Sequence, residues 1–165
     1  VNPASIKDIG EYQIMEHVKT TIESNINDIN TIIQKYESNN FLRKIWYGDQ
    51  ETIGEYPCIT LEPTTTDPRW GATSYTQENT YNLDIFCYIK TIVKEVQVLY
   101  LIEFADIIRR ILTHPNNLRF ESEGYVIYDS GITSVAYGFK HGGALRVAQL
   151  HWFSTSWRPD VTDKT

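Results

Sequence analysis

Tyr81-Asn-Leu-Asp-Ile-Phe-Cys-Tyr-Ile-Lys90 is the stretch on which the fold turns. Tyr81, Leu83, Ile85, Cys87 and Ile89 alternate with Asn82, Asp84, Phe86, Tyr88 and Lys90, the period of two that sends neighbouring side chains to opposite sides of a strand. One side is apolar throughout, and the other turns apolar toward the end. The period then changes. Val96, Leu99, Tyr100, Phe104, Ile107, Ile108 and Ile111 recur at three and four, the spacing of a helix, with Thr91 available as its cap. Thr113-His-Pro-Asn-Asn117 stops it, because proline offers no N–H to the helical ladder.

Moving outward toward the N-terminus, Ile14, Val18, Ile22, Ile26, Ile29, Ile33 and Tyr36 make a second helical stripe, read as one amphipathic helix of about 23 residues. Ser5-Ile-Lys-Asp8 and Asp8-Ile-Gly-Glu11 each offer a capped start, and Glu37-Ser-Asn-Asn40 ends it. Phe41 to Trp46 reads as a short strand and Tyr47 to Thr52 as the connection after it. Pro57-Cys-Ile-Thr-Leu-Glu-Pro63 reads as a strand bounded by prolines. Thr64 to Thr80 is polar, lacks helical period and carries Pro68 and Gly71. It is expected to be a long loop, of the kind that is functional when a compact domain tolerates it.

Toward the C-terminus, Tyr125 to Tyr128 and Thr133 to Gly138 read as two short strands, and Lys140-His-Gly-Gly143 as a hairpin turn. Ala144 to Trp157 is a long extended run. It would span ~46 Å if straight, against a diameter of roughly 40 Å for a domain of this size, so it must bend or reach toward a neighbour. The order predicts an α+β fold, a mainly antiparallel sheet with two long helices packed on one face. Residues 1–157 form one domain and residues 158–165 a polar tail.

Composition narrows the function. The chain has 165 residues and 41% hydrophobic content, enough to bury roughly 70% of its unfolded surface without disulfide or metal. Fifteen Lys and Arg against 21 Asp and Glu give a net charge of −6, which argues against tight sequence-independent binding to nucleic acid. Cys58 and Cys87 sit in apolar strand-like runs and read as buried free thiols in a reducing compartment. No apolar run approaches the ~18 residues of a membrane span, and the start carries no basic region followed by an apolar signal core, so membrane-spanning and secreted readings are disfavoured. Val1 is the residue expected where an initiator methionine has been removed.

Chemical motifs are scarce. There is no phosphate-binding glycine loop followed by a helix, no Gly-x-Ser-x-Gly elbow and no His-Glu-x-x-His pair. His17, His114, His141 and His151 fall in different elements and read as surface or half-buried residues. Asp160 and Asp163 read as solvated charge, and Arg109-Arg110 as cations complementing a helix C-terminus. No enzyme activity, cofactor or metal is expected. Trp70, in a polar stretch, is open between an interface anchor and local packing, because Trp and Tyr anchor protein interfaces. Trp152 reads as core.

The layout resembles the tail terminator and tail-completion proteins of tailed bacteriophages. The likeness is carried by the Ile-rich first helix, Pro57 to Pro63 with the polar stretch after it, Tyr81 to Ile89, the helix ending Phe104-Ala-Asp-Ile-Ile-Arg-Arg-Ile-Leu-Thr-His-Pro115, and Gly143-Ala-Leu-Arg-Val-Ala-Gln-Leu-His-Trp152. It covers nearly the whole chain as a pattern, without a short invariant motif. It implies a ring, commonly a hexamer, that caps the tail tube, ends tail polymerisation and joins the tail to the head connector. The partners implied are further copies of the chain, the tail tube protein, a head-side connector or adaptor protein and, in contractile tails, the sheath. DNA would be passing cargo in the lumen, with acidic residues outnumbering basic ones on the pore wall and Arg69, Arg146 and Arg158 at contacts. The place implied is the tail neck of a virion, assembled in the host cytoplasm.

Thr64, Thr65, Thr66, Asp67, Pro68, Arg69, Trp70 and Tyr75 become the candidate tube or intersubunit interface, with Lys140, His141, Trp157 and Arg158. The alternatives are another neck adaptor, such as a head-closure or tail-completion protein, and a small cytoplasmic ligand-binding domain.

Overall fold

A computed structural model describes residues 10–48, 54–70, 76–90, 94–114, 120–122, 125–140 and 145–159. Its elements run α1 (Gly10–Ser24), α2 (Ile26–Tyr36), β1 (Lys44–Tyr47), β2 (Cys58–Trp70), β3 (Thr76–Ile89), α3 (Lys94–Thr113), β4 (Phe120–Ser122), β5 (Tyr125–Lys140) and β6 (Leu145–Pro159). The strands form a sheet in the order β1-β2-β3-β6-β5-β4. Every pairing is antiparallel except β1 with β2. The α+β class and the mainly antiparallel sheet therefore stand.

The expected single first helix is two helices. Asn25 sits between them, and its Nδ2 donates to the carbonyl of Thr21 at 2.8 Å, while Ser24 Oγ donates to that of Thr20 at 2.7 Å. Short polar side chains that bond back to the previous turn compete with the helical ladder and bend it. The apolar stripe survives the break: Ile14, Val18, Ile22, Ile29 and Ile33 are all buried. The expected caps at Ser5, Asp8 and Thr91 lie outside the described residues.

Three helices, rather than two, contribute to one core. Ile59 and Leu61 of β2, Leu83, Ile85, Cys87 and Ile89 of β3, and Ala148, Leu150 and Trp152 of β6 meet the helical stripes, with Tyr100, Phe104 and Ile108 from α3. The register explains why these strand residues share a face: Ile59 and Ala148 flank Cys87, and Leu61 and Leu150 flank Ile85. α1 lies against β2, α3 lies against β3, β5 and β6, and α2 packs on α3. Tyr36 and Tyr100 stack at 5.0 Å, and Tyr100 Oη donates to Glu37 Oε2 at 2.7 Å, which ties the end of α2 to α3. Burial, then this bond, holds the Tyr100 hydroxyl protonated well above the usual phenol range. Both cysteines are buried thiols, and burial pushes the Cys87 thiol up likewise.

The largest departure from expectation is at residues 64–80. β2 runs through Pro63 to Trp70, and β3 begins at Thr76, so the expected loop is mostly paired strand. A break in register between Pro63 and Thr65 lets β2 continue past its proline. The two short strands expected after Tyr125 are likewise one strand, β5, whose pairing with β6 shifts at Ile127/Asp129 and at Ile132/Ser134. β4 was not anticipated. The long final run is paired along its length: β6 pairs with β3 from Arg146 to Pro159. Arg158 and Pro159 are thus strand residues, while 160–165 and the turn at 141–144 lie outside the described residues.

Candidate functional site

The register decides which candidate residues can act together. Beyond the break at Pro63, Arg69 lies opposite Glu78 of β3, and Glu78 lies opposite Trp157 of β6. One step on, Trp70 lies opposite Gln77, which lies opposite Arg158. Residues 64–70 and the pair Trp157 and Arg158, far apart in sequence, therefore converge at one end of the sheet. Lys140 is not with them. It pairs with Leu145 at the other end, beyond Ile89 and Arg146. Tyr75 and His141 lie outside the described residues.

This end differs in chemistry from the helix-covered part. The last apolar rungs on the helix side are Tyr81, Leu83 and Trp152, and the next buried positions are polar: Asn79, Ser130 and Ser154. Thr64, Thr65 and Asp67 are exposed, and Thr66 turns toward α1, lining a small crevice with Ile14, Met15 and Tyr81. Among the residues whose side chains are described, none of the buried apolar set lies beyond Tyr81 and Trp152 at this end.

On the face away from the helices, Thr65 and Asp67 join a polar network that the sequence reading missed. Asn82 Nδ2 donates to Thr65 Oγ1 at 2.9 Å and lies 3.4 Å from Asp67 Oδ2. Asn82 Oδ1 faces His151 Nε2 at 3.1 Å, and His151 Nδ1 faces Asp84 Oδ1 at 2.9 Å. Gln149 Nε2 donates to Asp84 Oδ2 at 2.9 Å. The signal was present as polar residues two apart in each strand, Asn82 and Asp84, Gln149 and His151. Only the register shows that they are neighbours.

Both ring nitrogens of His151 are engaged in this network, one by Asn82 and one by Asp84. Among the described residues no group of three or more His, Cys, Asp or Glu is placed to hold a metal ion, and no helix is long and apolar enough to cross a membrane. Arg146, expected at a contact, is held by its own chain: its guanidinium lies 3.9 Å over the Phe139 ring and its Nε donates to Gln97 Oε1 at 3.4 Å.

No protein family and no curated protein sequence matches the chain. Among solved structures, the fold is similar to that of a chain in the virion of a native gene transfer agent particle, with a TM-score of 0.50 and 8% identity over 85% of this chain and 91% of that one. At that identity the likeness is one of fold, and it extends over most of both chains.

Proposed function

We propose that the chain is a non-enzymatic structural protein of a phage-type virion, and that it works as a tail terminator: a ring that caps the tail tube, ends polymerisation and receives the head-side connector. The observation that carries this reading is the convergence of residues 64–70 with Trp157 and Arg158 at one end of the sheet. A terminator needs a face that matches the tube and can be altered without unfolding the subunit. Tryptophan and arginine are the side chains that most often dominate such contacts. The shared fold with a virion chain supports the same assignment. Heterologous contacts that close into a ring would also limit growth around the circumference.

Purified tails mixed with the protein, viewed by electron microscopy, provide the test. A ring at the tube end is expected for the wild type. Because residues 69 and 70 are strand rather than loop, side-chain removal that spares the backbone ladder is the suitable lesion. Arg69→Ala with Trp70→Ala should keep the melting temperature and lose the tube-end ring. Normal capping by that variant would overturn the assignment of this end to the tube, and a ring found only on the portal side would favour a neck adaptor.

A further inference from the structure

The polar network on the face away from the helices fixes where its protons lie. Asp84 meets two nitrogens: Oδ1 lies 2.9 Å from His151 Nδ1, and Oδ2 accepts from Gln149 Nε2 at 2.9 Å. A carboxylate only accepts, so His151 Nδ1 carries a hydrogen. Across the ring, His151 Nε2 lies 3.1 Å from Asn82 Oδ1. The orientation of that amide follows from its far end, where Nδ2 donates to Thr65 Oγ1 at 2.9 Å and lies 3.4 Å from Asp67 Oδ2. Beside the Asp67 carboxylate the amide nitrogen is the end that fits, which turns the amide oxygen to His151. Nε2 therefore carries a hydrogen as well. An imidazole with hydrogens on both nitrogens is a cation.

The charges around the ring favour that form. On β3 the neighbour is Asp84. On β2, Glu62 lies opposite Asp84, and Asp67 lies beyond Thr65, which is opposite Asn82. On β5, Ser134 lies opposite His151 and Ala136 opposite Gln149, both uncharged. The charged side chains described on this patch are thus all acidic, and acids stabilise an imidazolium. The His151 side chain is 32% exposed, so water can still take its proton.

We propose that His151 is a proton-dependent clasp: doubly protonated, it bridges Asp84 and Asn82 and, through the Asn82 amide, holds β2 at Thr65 and Asp67, and on losing one proton it lets that arm go. The proton at Nδ1 is kept by Asp84, so the one that leaves to water is at Nε2. Its departure sets a lone pair against Asn82 Oδ1. Turning the amide over brings Nδ2 to His151 but sets Oδ1 against Asp67 Oδ2, two acceptors face to face. The position gives the tie its weight. The register of β2 breaks between Pro63 and Thr65, and Pro63 and Pro68 have no N–H for the ladder. β1 pairs with β2 only from Cys58 to Leu61, so among the described residues β3 is the one strand beside residues 65–70. The clasp belongs to the free chain and does not depend on the terminator reading.

Nuclear magnetic resonance of the full chain, titrated from mildly acid to alkaline solution, tests it. In acid, the shifts of both His151 ring nitrogens should be those of protonated nitrogen. As Nε2 loses its hydrogen, exchange at the protected amides of residues 65–67 and 80–82 should rise by roughly ten- to a hundredfold beyond the intrinsic effect of pH, the loss of one hydrogen bond to a charged group. His151→Gln should abolish this step, and Asp84→Asn should move it toward acid. A bare ring nitrogen while the arm is protected, exchange that follows the intrinsic rate throughout, a step that persists in His151→Gln or one unmoved in Asp84→Asn would each overturn the clasp. Should a variant unfold, the wild-type titration still decides, because ring and arm must change at the same pH. None of these results bears on whether the protein caps tails.

Discussion

The two flanks of the sheet differ in how much of their aromatic surface stays exposed. On the β1 side, each aromatic ring carries a partner from its own chain. Lys44 Nζ sits 3.6 Å over Trp46, Arg43 stacks 4.0 Å over Phe41, and Tyr47 Oη donates to Glu16 Oε1 at 2.8 Å. The backbone is tied in as well. Leu42 N donates to Asn30 Oδ1, Arg43 N to the carbonyl of Pro57, and Gly48, at φ +77°, donates its N–H to Leu61 O and so ends β1. On the β5 side, Arg146 lies over Phe139 as well, while Val98, Ile102 and Tyr137 are exposed. The large side chains of the β5 flank are the more exposed, Tyr137 and Phe139 at 52% and 59% against 44% and 37% for Phe41 and Tyr47.

The comparison can be broken most forcefully by a buried pair of tests. Leu150→Ala, at a site with no exposure in the centre of the sheet, should cost about 2–5 kcal/mol in urea unfolding. Ile102→Ala, on the more exposed flank, should stay within about 0.5 kcal/mol. A large cost at Ile102 would show that the β5 flank is already covered within one chain.

A smaller effect should sharpen the picture of the β1 flank. Asn30→Ala removes the acceptor for Leu42 N, a bond that fixes the approach to β1. A loss of roughly 1–2 kcal/mol is expected, with faster amide exchange at Leu42. Unchanged exchange there would mean that the side-chain ties do not hold this flank.

The smallest effect lies between the flanks, where Lys35 Nζ on α2 meets Glu103 on α3 at 2.8 Å. The hydrogen bond from Lys35 holds the Glu103 carboxyl below its ordinary value, and the same bond holds Lys35 above its own. The Glu103 contribution is therefore complete above the ordinary carboxyl range and is lost as pH falls through the lowered value. The Lys35 contribution is complete below the ordinary amine range and is lost as pH rises through the raised value. The side chains are 60% and 35% exposed, so water and salt screen the pair. Glu103→Gln should lower the melting temperature slightly at neutral pH, and the difference from wild type should vanish in acid. A difference that grew in acid would contradict the pairing.

Where the sequence was legible, the periodicity reported a face that the core then used. Tyr81 to Ile89 alternates because one side meets the helices, and α3 stops before Pro115 for a reason contained in that residue. The failures have a common cause. Residues 64–70 and 76–80 are polar on both faces, and such strands are held by partners that a linear reading does not show. β5 looked like two pieces because its shifts at Ile127/Asp129 and Ile132/Ser134 interrupt the period of two. The break at Asn25 was hidden because the isoleucine stripe runs through it unchanged.

The candidate site was legible as residue types and not as a place. Arg69, Trp70, Trp157 and Arg158 stood out by chemistry, whereas Asn82, Asp84, Gln149 and His151 were joined only by the register. By itself the sequence determined the class of fold, the helical stripes, the buried thiols and the acidic balance, because each follows from local spacing or composition. Only the tertiary structure decided that the polar stretch is a strand, that residues 64–70 and 157–158 share one end while Lys140 lies at the other, and that β5 is one strand whose pairing with β6 shifts twice. Those are matters of register, set by which strand lies beside which, and pairing between distant segments is not written in either segment alone.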